Sequence, residues 1–314
     1  MRMILAGLAM AAAIATGDAR AQALDDPEAT VVEALVVSAK LPGPAWWRIT
    51  DADTTVYILG TPGPLPKDLA WDRSVLERRL DGAFAVVTGP IWQAGVTDLP
   101  ALLKLRKTMK DDGGWARREP ELAARTQRAW TALNPKDPDG WKDWKPAMIA
   151  MQLGGKAVKQ AGLQGGEPAR TVQDLARKRR VKARPAAVHK AMPMLKSLVR
   201  EHSETAGLTC LAETLDAIDA GVGPRRAAAQ AWSQGRVKAA LAAPRDAERC
   251  ELLMPGVADA RRQSVDDEVE ALAGLLKTPG HAVALYSMRG LVAEGGVLEK
   301  LRARGITVRT PGDG

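Results

Sequence analysis

The β-prone stretches of this chain lie near its two ends. Trp46-Trp47-Arg48-Ile49 and Thr55-Val56-Tyr57-Ile58-Leu59 flank the polar turn Asp51-Ala52-Asp53, so an antiparallel hairpin is expected there. Ala83-Phe84-Ala85-Val86-Val87 reads as a third strand, after a helix capped by Asp72 or Ser74 that runs through Leu80. Ala282-Val283-Ala284-Leu285-Tyr286 and Ile306-Thr307-Val308 are β-prone again, and between them a helix over 295–304 is stopped by Gly305. Apolar residues at three-to-four spacing predict helices over 99–109, 119–133, 144–152, 171–178, 194–220, 227–241 and 265–277. Strands this far apart share a core only by pairing into one sheet, with the helical stretch inserted between them. The expected fold is α/β (α+β): a central mixed β-sheet built from N- and C-terminal strands, with a large helical insertion in the middle. It forms a single domain over 44–314, its helical subregion spanning about 99–277.

Ahead of this frame, Arg2 precedes an apolar run from Ile4 to Ala15, and Ala21-Gln22-Ala23 fits an A-x-A cleavage signal. Residues 1–23 therefore read as a cleavable signal peptide, cut after Ala23. The run is shorter than the roughly 20 residues that span a bilayer, and no Cys follows the cut to accept a lipid. The mature chain is expected to be periplasmic or secreted, with no transmembrane segment once the signal is removed. Residues 24–43 are rich in Ala, Val, Glu and Pro and end in Leu41-Pro42-Gly43, which predicts an extended, poorly packed leader. In an oxidising compartment the only two cysteines, Cys210 and Cys250, would form one bridge; two buried free thiols are the alternative.

The full chain carries +8, of which Arg2, Arg20 and Asp18 account for +1, leaving +7 on the mature chain. The densest basic run, Arg177-Lys178-Arg179-Arg180 with Lys182 and Arg184, follows a helical pattern and reads as the solvated C-terminal end of that helix. No aromatic residues interleave with it, so nucleic acid is not an expected partner.

Patterns that carry chemistry are scarce. His189, His202 and His281 are the only histidines, and none has a carboxylate or second histidine at ligand spacing. The chain has no G-x-S-x-G elbow, no Walker or dinucleotide glycine pattern and no H-E-x-x-H, so no cofactor is expected. Asp266-Asp267-Glu268 reads as the acidic start of a helix, and Asp51 with Asp53 as a turn pair. At the end of the strand 55–59, Gly60-Thr61-Pro62-Gly63-Pro64 forms a turn of the kind on which active sites are built. It holds no side chain that can bind a metal or take a proton.

The segment from Pro44-Ala45-Trp46-Trp47-Arg48-Ile49 through Asp51, Asp53 and Thr55-Val56-Tyr57-Ile58-Leu59-Gly60-Thr61, then Leu65-Pro66, resembles the opening of the TraB/GumN family, bacterial relatives of the Tiki metalloproteases. The closing segment is similar as well: Pro279-Gly280, a strand, Gly290-Leu291-Val292, Glu294, Gly296-Val297-Leu298, then Leu301, Gly305-Ile306 and Val308. Trp144-Lys145-Pro146 and the Cys210/Cys250 pair resemble the family's middle. In that family two G-x-x-H motifs and a glutamate after the third strand are the proposed metal-binding and catalytic elements. The resemblance places the first motif on Gly60-Thr61-Pro62-Gly63, with Gly63 in the histidine's position. It places the second on Ser287-Met288-Arg289-Gly290, with Gly290 in the histidine's position, and the glutamate on Thr88. Arg262, followed by Gln263, matches the family's arginine-polar pair; together with Gly60, Arg289 and Glu294 it is expected to form the pocket wall.

Glycine supplies no side-chain donor and Thr88 no carboxylate, so neither a metal site nor a catalytic residue is expected at these three positions. The resemblance thus implies an exported, catalytically degenerate protein with a binding or regulatory role in the cell envelope. Its partner would be a peptide, a protein or an envelope polymer. One alternative is a divergent metal-dependent hydrolase or peptidase with a relocated site drawing on His189, His281, Arg289 or Glu294. The other is a structural envelope protein whose basic face meets anionic polymers.

Overall fold

The computed structural model describes residues 24–111, 114–165, 167–201 and 203–313. The expected signal peptide and His202 lie outside the described residues.

Among the described residues ten strands appear in chain order: β1 (Trp46–Thr50), β2 (Thr54–Thr61), β3 (Leu65–Pro66), β4 (Val86–Thr88), β5 (Ile91–Gln93), β6 (Leu163–Gln164), β7 (Ala183–Pro185), β8 (Val188–Lys190), β9 (Gly280–Ser287) and β10 (Thr307–Arg309). Six of them form the central sheet, in the order β10-β1-β2-β9-β4-β7. β1 and β2 are the expected hairpin, closed by the Asp51 carboxylate, which accepts from the backbone N–H of Asp53 at 3.3 Å and of Thr54 at 2.9 Å. β10 pairs antiparallel with β1. β2, β9, β4 and β7 run parallel, with β2 and β9 in register from Thr54↔Gly280 to Thr61↔Ser287. A parallel strand covered on both faces needs an unbroken apolar run, and Ala282 to Tyr286 provides one, all buried. The helices Ser74–Leu80, Glu167–Lys178, Val257–Leu275 and Val297–Ala303 pack on this sheet.

The helical middle has a core of its own. Trp115, Trp130, Trp141, Ile149, Leu153 and Leu211 gather between the helices Pro120–Leu133, Pro146–Gln160 and Glu204–Ala220. Cys210 and Cys250 are joined as a disulfide within it, Cα atoms 4.7 Å apart, tying the helix Glu204–Ala220 to the helix Asp246–Leu252. The mixed sheet with a helical insertion is thus as the sequence implied, but the insertion and the sheet each surround a separate apolar centre.

Several local expectations change. The pattern over 194–220 is two helices, Ala191–Arg200 and Glu204–Ala220, and that over 227–241 breaks at Gly235, which has φ +67°. The helix expected from 265 begins at Val257, so Asp266, Asp267 and Glu268 lie in its middle rather than at its start. The short pairs β3–β6 and β5–β8 carried no recognisable alternation in sequence. Residues 24–43 are not loosely packed. Leu35 is fully buried, its carbonyl accepts from the Trp47 indole at 3.1 Å, and the Val32 N–H donates to the Val292 carbonyl at 2.8 Å. No helix among the described residues is long and apolar enough to cross a membrane.

Candidate functional site

In open parallel sheets the crevice outside the carboxyl ends of the strands is the usual place for a ligand. Here that edge is formed by the exits of β2, β9 and β4. Register alone therefore brings the three resemblance-derived positions to one edge: Gly63 lies two residues past Thr61, Gly290 three past its partner Ser287, and Thr88 is paired with Leu285.

The edge opens into a cavity of about 410 Å³ between the sheet and the helical insertion. On the sheet side it is lined by Thr61 to Leu65, including Gly63, and by Ser287 to Arg289; on the helical side Ala157, Val158, Ala217, Ile218 and Val222 make an apolar wall. Thr88 does not reach it. Its hydroxyl donates to the Gly89 carbonyl at 3.4 Å, and it lines instead a separate pocket with Arg177 and Arg184.

The glycines of the edge differ in what they permit. A Cβ on Gly60 would come within 2.6 Å of the buried Trp47 ring and 3.1 Å of Met288, so close packing, not backbone conformation, demands glycine there. A Cβ on Gly63 would have no neighbour within 4 Å. Neither residue has a positive φ, so the turn does not need its glycines for left-handed backbone. At Gly290 a Cβ would lie 3.1 Å from a carboxylate oxygen of Glu28. An acid from the N-terminal segment thus stands where a side chain at 290 would project.

That segment is strapped to the edge by arginines. Arg245 donates to Asp26 at 2.6 and 3.1 Å and to Glu248 at 2.7 Å. Arg261 reaches the Glu28 carboxylate at 3.3 Å. Arg289 donates to the Glu28 carbonyl at 3.3 Å and to the Leu241 carbonyl at 2.6 Å. Two of its five N–H donors are thereby used, and no carboxylate lies within ion-pair distance among the described residues. Burial, with Arg245 alongside, lowers Arg289 from its ordinary pKa.

Two acids are buried behind the edge. Burial raises the Glu28 carboxyl above the usual range although Arg261 opposes it. Glu268, with a carboxylate oxygen 3.3 Å from where a Cβ on Gly89 would be, is pushed up to about 8 by burial and then by repulsion from Glu28 and Asp267. The Tyr286 hydroxyl is buried without a hydrogen-bond partner among the described residues, and burial raises it well above its ordinary pKa.

The remaining candidates scatter. Arg262 does not line the cavity; it is partly exposed and pairs with Asp25 at 2.9 Å and Asp259 at 2.7 Å, while its neighbour Arg261 turns inward. Glu294 is exposed. His281 sits at the opposite end of β9, paired with Thr55 and edge-on to Tyr57 at 6.0 Å. The pairing of His281 with Glu294 near the Gly63 loop, on which a relocated site would draw, is therefore not formed. His189 differs from expectation: its Nε2 is 2.6 Å from Asp267 and its ring packs on Trp92 at 4.6 Å. Local spacing does not show this pair, because Asp267 is 78 residues away in an acidic run that reads as a helix start. Glu28 and Glu268 likewise belong to no chemical motif of the sequence. Glu268 had a readable signal, since it falls on the stripe Val265, Glu268, Leu272, Leu275 that faces the core.

A hydrolytic metal ion of the kind the resemblance implies needs several converging donors. Gly63, Thr88 and Gly290 offer one hydroxyl between them, and among the described residues no group of three or more His, Cys, Asp or Glu is placed to hold an ion. The donor set does not fit such a metal, and no chemical step is derived through one. Neither a curated protein nor a solved structure matches the chain. The sheet framed by the two ends of the chain, with its helical insertion, agrees with a family match running over residues 45–310, and the chain belongs to the TraB/PrgY/gumN family.

Proposed function

We propose that the protein is an exported, catalytically degenerate member of its family that binds an apolar segment of a peptide or envelope component in the cavity at the sheet edge. The observation that carries this reading is the pairing of an apolar cavity of about 410 Å³ with the bare position at Gly63 on its wall, while at Gly290, just outside the lining, the Glu28 carboxylate occupies the space a side chain would take. A volume in the range of about 300–1,000 Å³, apolar walls and a few polar groups at one end are the ordinary make-up of a binding pocket. Arg289 supplies the polar end: its free donors suit a carbonyl or carboxylate of the ligand. Export rests on the signal-peptide reading of residues 1–23 and agrees with the Cys210–Cys250 bridge.

Two measurements on the mature chain test this. Metal content and peptidase activity come first: stoichiometric tight metal together with chelator-sensitive hydrolysis would overturn the degenerate reading. Calorimetry with apolar peptides comes second. Ala217→Trp, on the cavity wall, is expected to remove binding while leaving the unfolding transition in place; binding that survives it moves the site elsewhere.

One observation favours a second reading, a hydrolase with a relocated site. His189 and Asp267 form a hydrogen-bonded pair of the kind that serves as an oriented base. A hydrolytic activity lost in His189→Gln and retained in Arg289→Ala would select this reading over the first.

A further inference from the structure

Seven large apolar side chains are exposed among the described residues, and five of them, Ile91, Val96, Leu99, Leu103 and Val188, belong to one annex beyond the exit of β4. The annex consists of β5 and β8, where Ile91 faces Val188 across the ladder, and the helices Leu99–Thr108 and Ala191–Arg200. Val96 is 93 % exposed, and the helix Leu99–Thr108 buries none of its residues. Leu99, Leu103 and Lys107 follow one another at four-residue spacing along a single exposed line of that helix, with Lys104 beside them. Lys104, Lys107, Lys190 and Lys196 have no acidic partner within 4 Å among the described residues. Over residues 91–110 and 188–200 the sequence has seven cations, Lys104, Arg106, Lys107, Lys110, Lys190, Lys196 and Arg200, against the single acid Asp98; of these Lys110 pairs with Asp143 and Arg200 with Glu201, which lie outside those spans.

We propose that this annex docks on an anionic lipid bilayer, with Val96, Leu99 and Leu103 entering the boundary between headgroups and acyl chains and Lys104 and Lys107 meeting the headgroups. Apolar side chains flanked by lysines are the composition that binds membrane surfaces. The apolar area supplies depth, the charge selects anionic lipid, and the flexible lysine stems let the ammonium groups stay in the polar layer. A second copy of this chain is the poorer occupant, because the patch would face its own charge. An anionic polysaccharide would engage the lysines and leave the leucines in water. The proposal is independent of what fills the cavity.

The test is flotation of the mature chain with vesicles of phosphatidylcholine alone and of phosphatidylcholine mixed with phosphatidylglycerol, with near-ultraviolet circular dichroism confirming each variant's fold. Binding is expected only to the anionic vesicles and to weaken at high salt. Leu99→Glu/Leu103→Glu should reduce it roughly tenfold or more, as should Lys104→Glu/Lys107→Glu. Arg177→Glu/Arg180→Glu, in the separate basic run, should leave it unchanged. Absence of flotation, equal flotation with both vesicle types, or an equal effect of the Arg177/Arg180 variant would each overturn the proposal. So would a dimer in sedimentation that the leucine variant dissociates.

Discussion

Replacing Glu268 by glutamine should stabilise the protein, and by an amount that grows with pH. The carboxyl is buried, and its pKa rises from 4.5 in the unfolded chain to about 8 in the folded one. Below pH 4.5 both states hold the proton, and the group does not bias folding. From there to about pH 8 only the folded state keeps it. Each pH unit in that window then favours the unfolded chain by about 1.4 kcal/mol. At pH 7 the accumulated cost is about 3 kcal/mol; at pH 5 it is under about 1 kcal/mol. Glutamine has the same shape and never ionises, so Glu268→Gln removes this cost while filling the same space beside Gly89 and Tyr286. Guanidinium unfolding with the disulfide intact, followed by tryptophan fluorescence at half-unit steps from pH 5 to 8, gives the difference directly. A gap between variant and parent that stays flat across those pH values would refute the reasoning, because a constant offset reports packing and not a proton.

Gly60→Ala should cost about 1–3 kcal/mol in thermal or denaturant unfolding, since its methyl would press on the Trp47 ring and Met288 with no room to yield. Gly63→His, by contrast, should leave stability within about 0.5 kcal/mol, and because one imidazole does not make a metal site, zinc titration should detect no stoichiometric uptake. Replacing Cys210 and Cys250 by serine opens a loop of 40 residues and should lower stability by about 4 kcal/mol on the chain-entropy account. A loss near zero in the same unfolding assay would contradict it.

What the sequence made legible was whatever rests on local pattern. Apolar runs and turn residues located the hairpin at Asp51, the buried strand through Ala282 to Tyr286 and the helical middle, and together those fixed the sheet. The resemblance put Gly63 and Gly290 just past two strand ends, and register sets those two ends side by side. What stayed hidden depends on contacts across long separations. Nothing near Glu28 in sequence announces that it fills the space beside Gly290, and nothing near His189 points to Asp267. The two short strands β5 and β8 hold together only because they pair with each other. Their residues alternate too briefly to be read alone.

The family match begins at residue 45, whereas the acidic segment that pairs with arginines of the helix Val257–Leu275 begins at Asp25. The carboxylate that stands against Gly290 is thus contributed from outside the shared span, and the bare position it covers lies inside it. A fragment trimmed to the family boundaries would leave Arg245, Arg261 and Arg289 facing water and strip Leu35 from the Trp47 indole. For expression and crystallisation, the working unit of this protein therefore starts about twenty residues earlier than its family outline suggests.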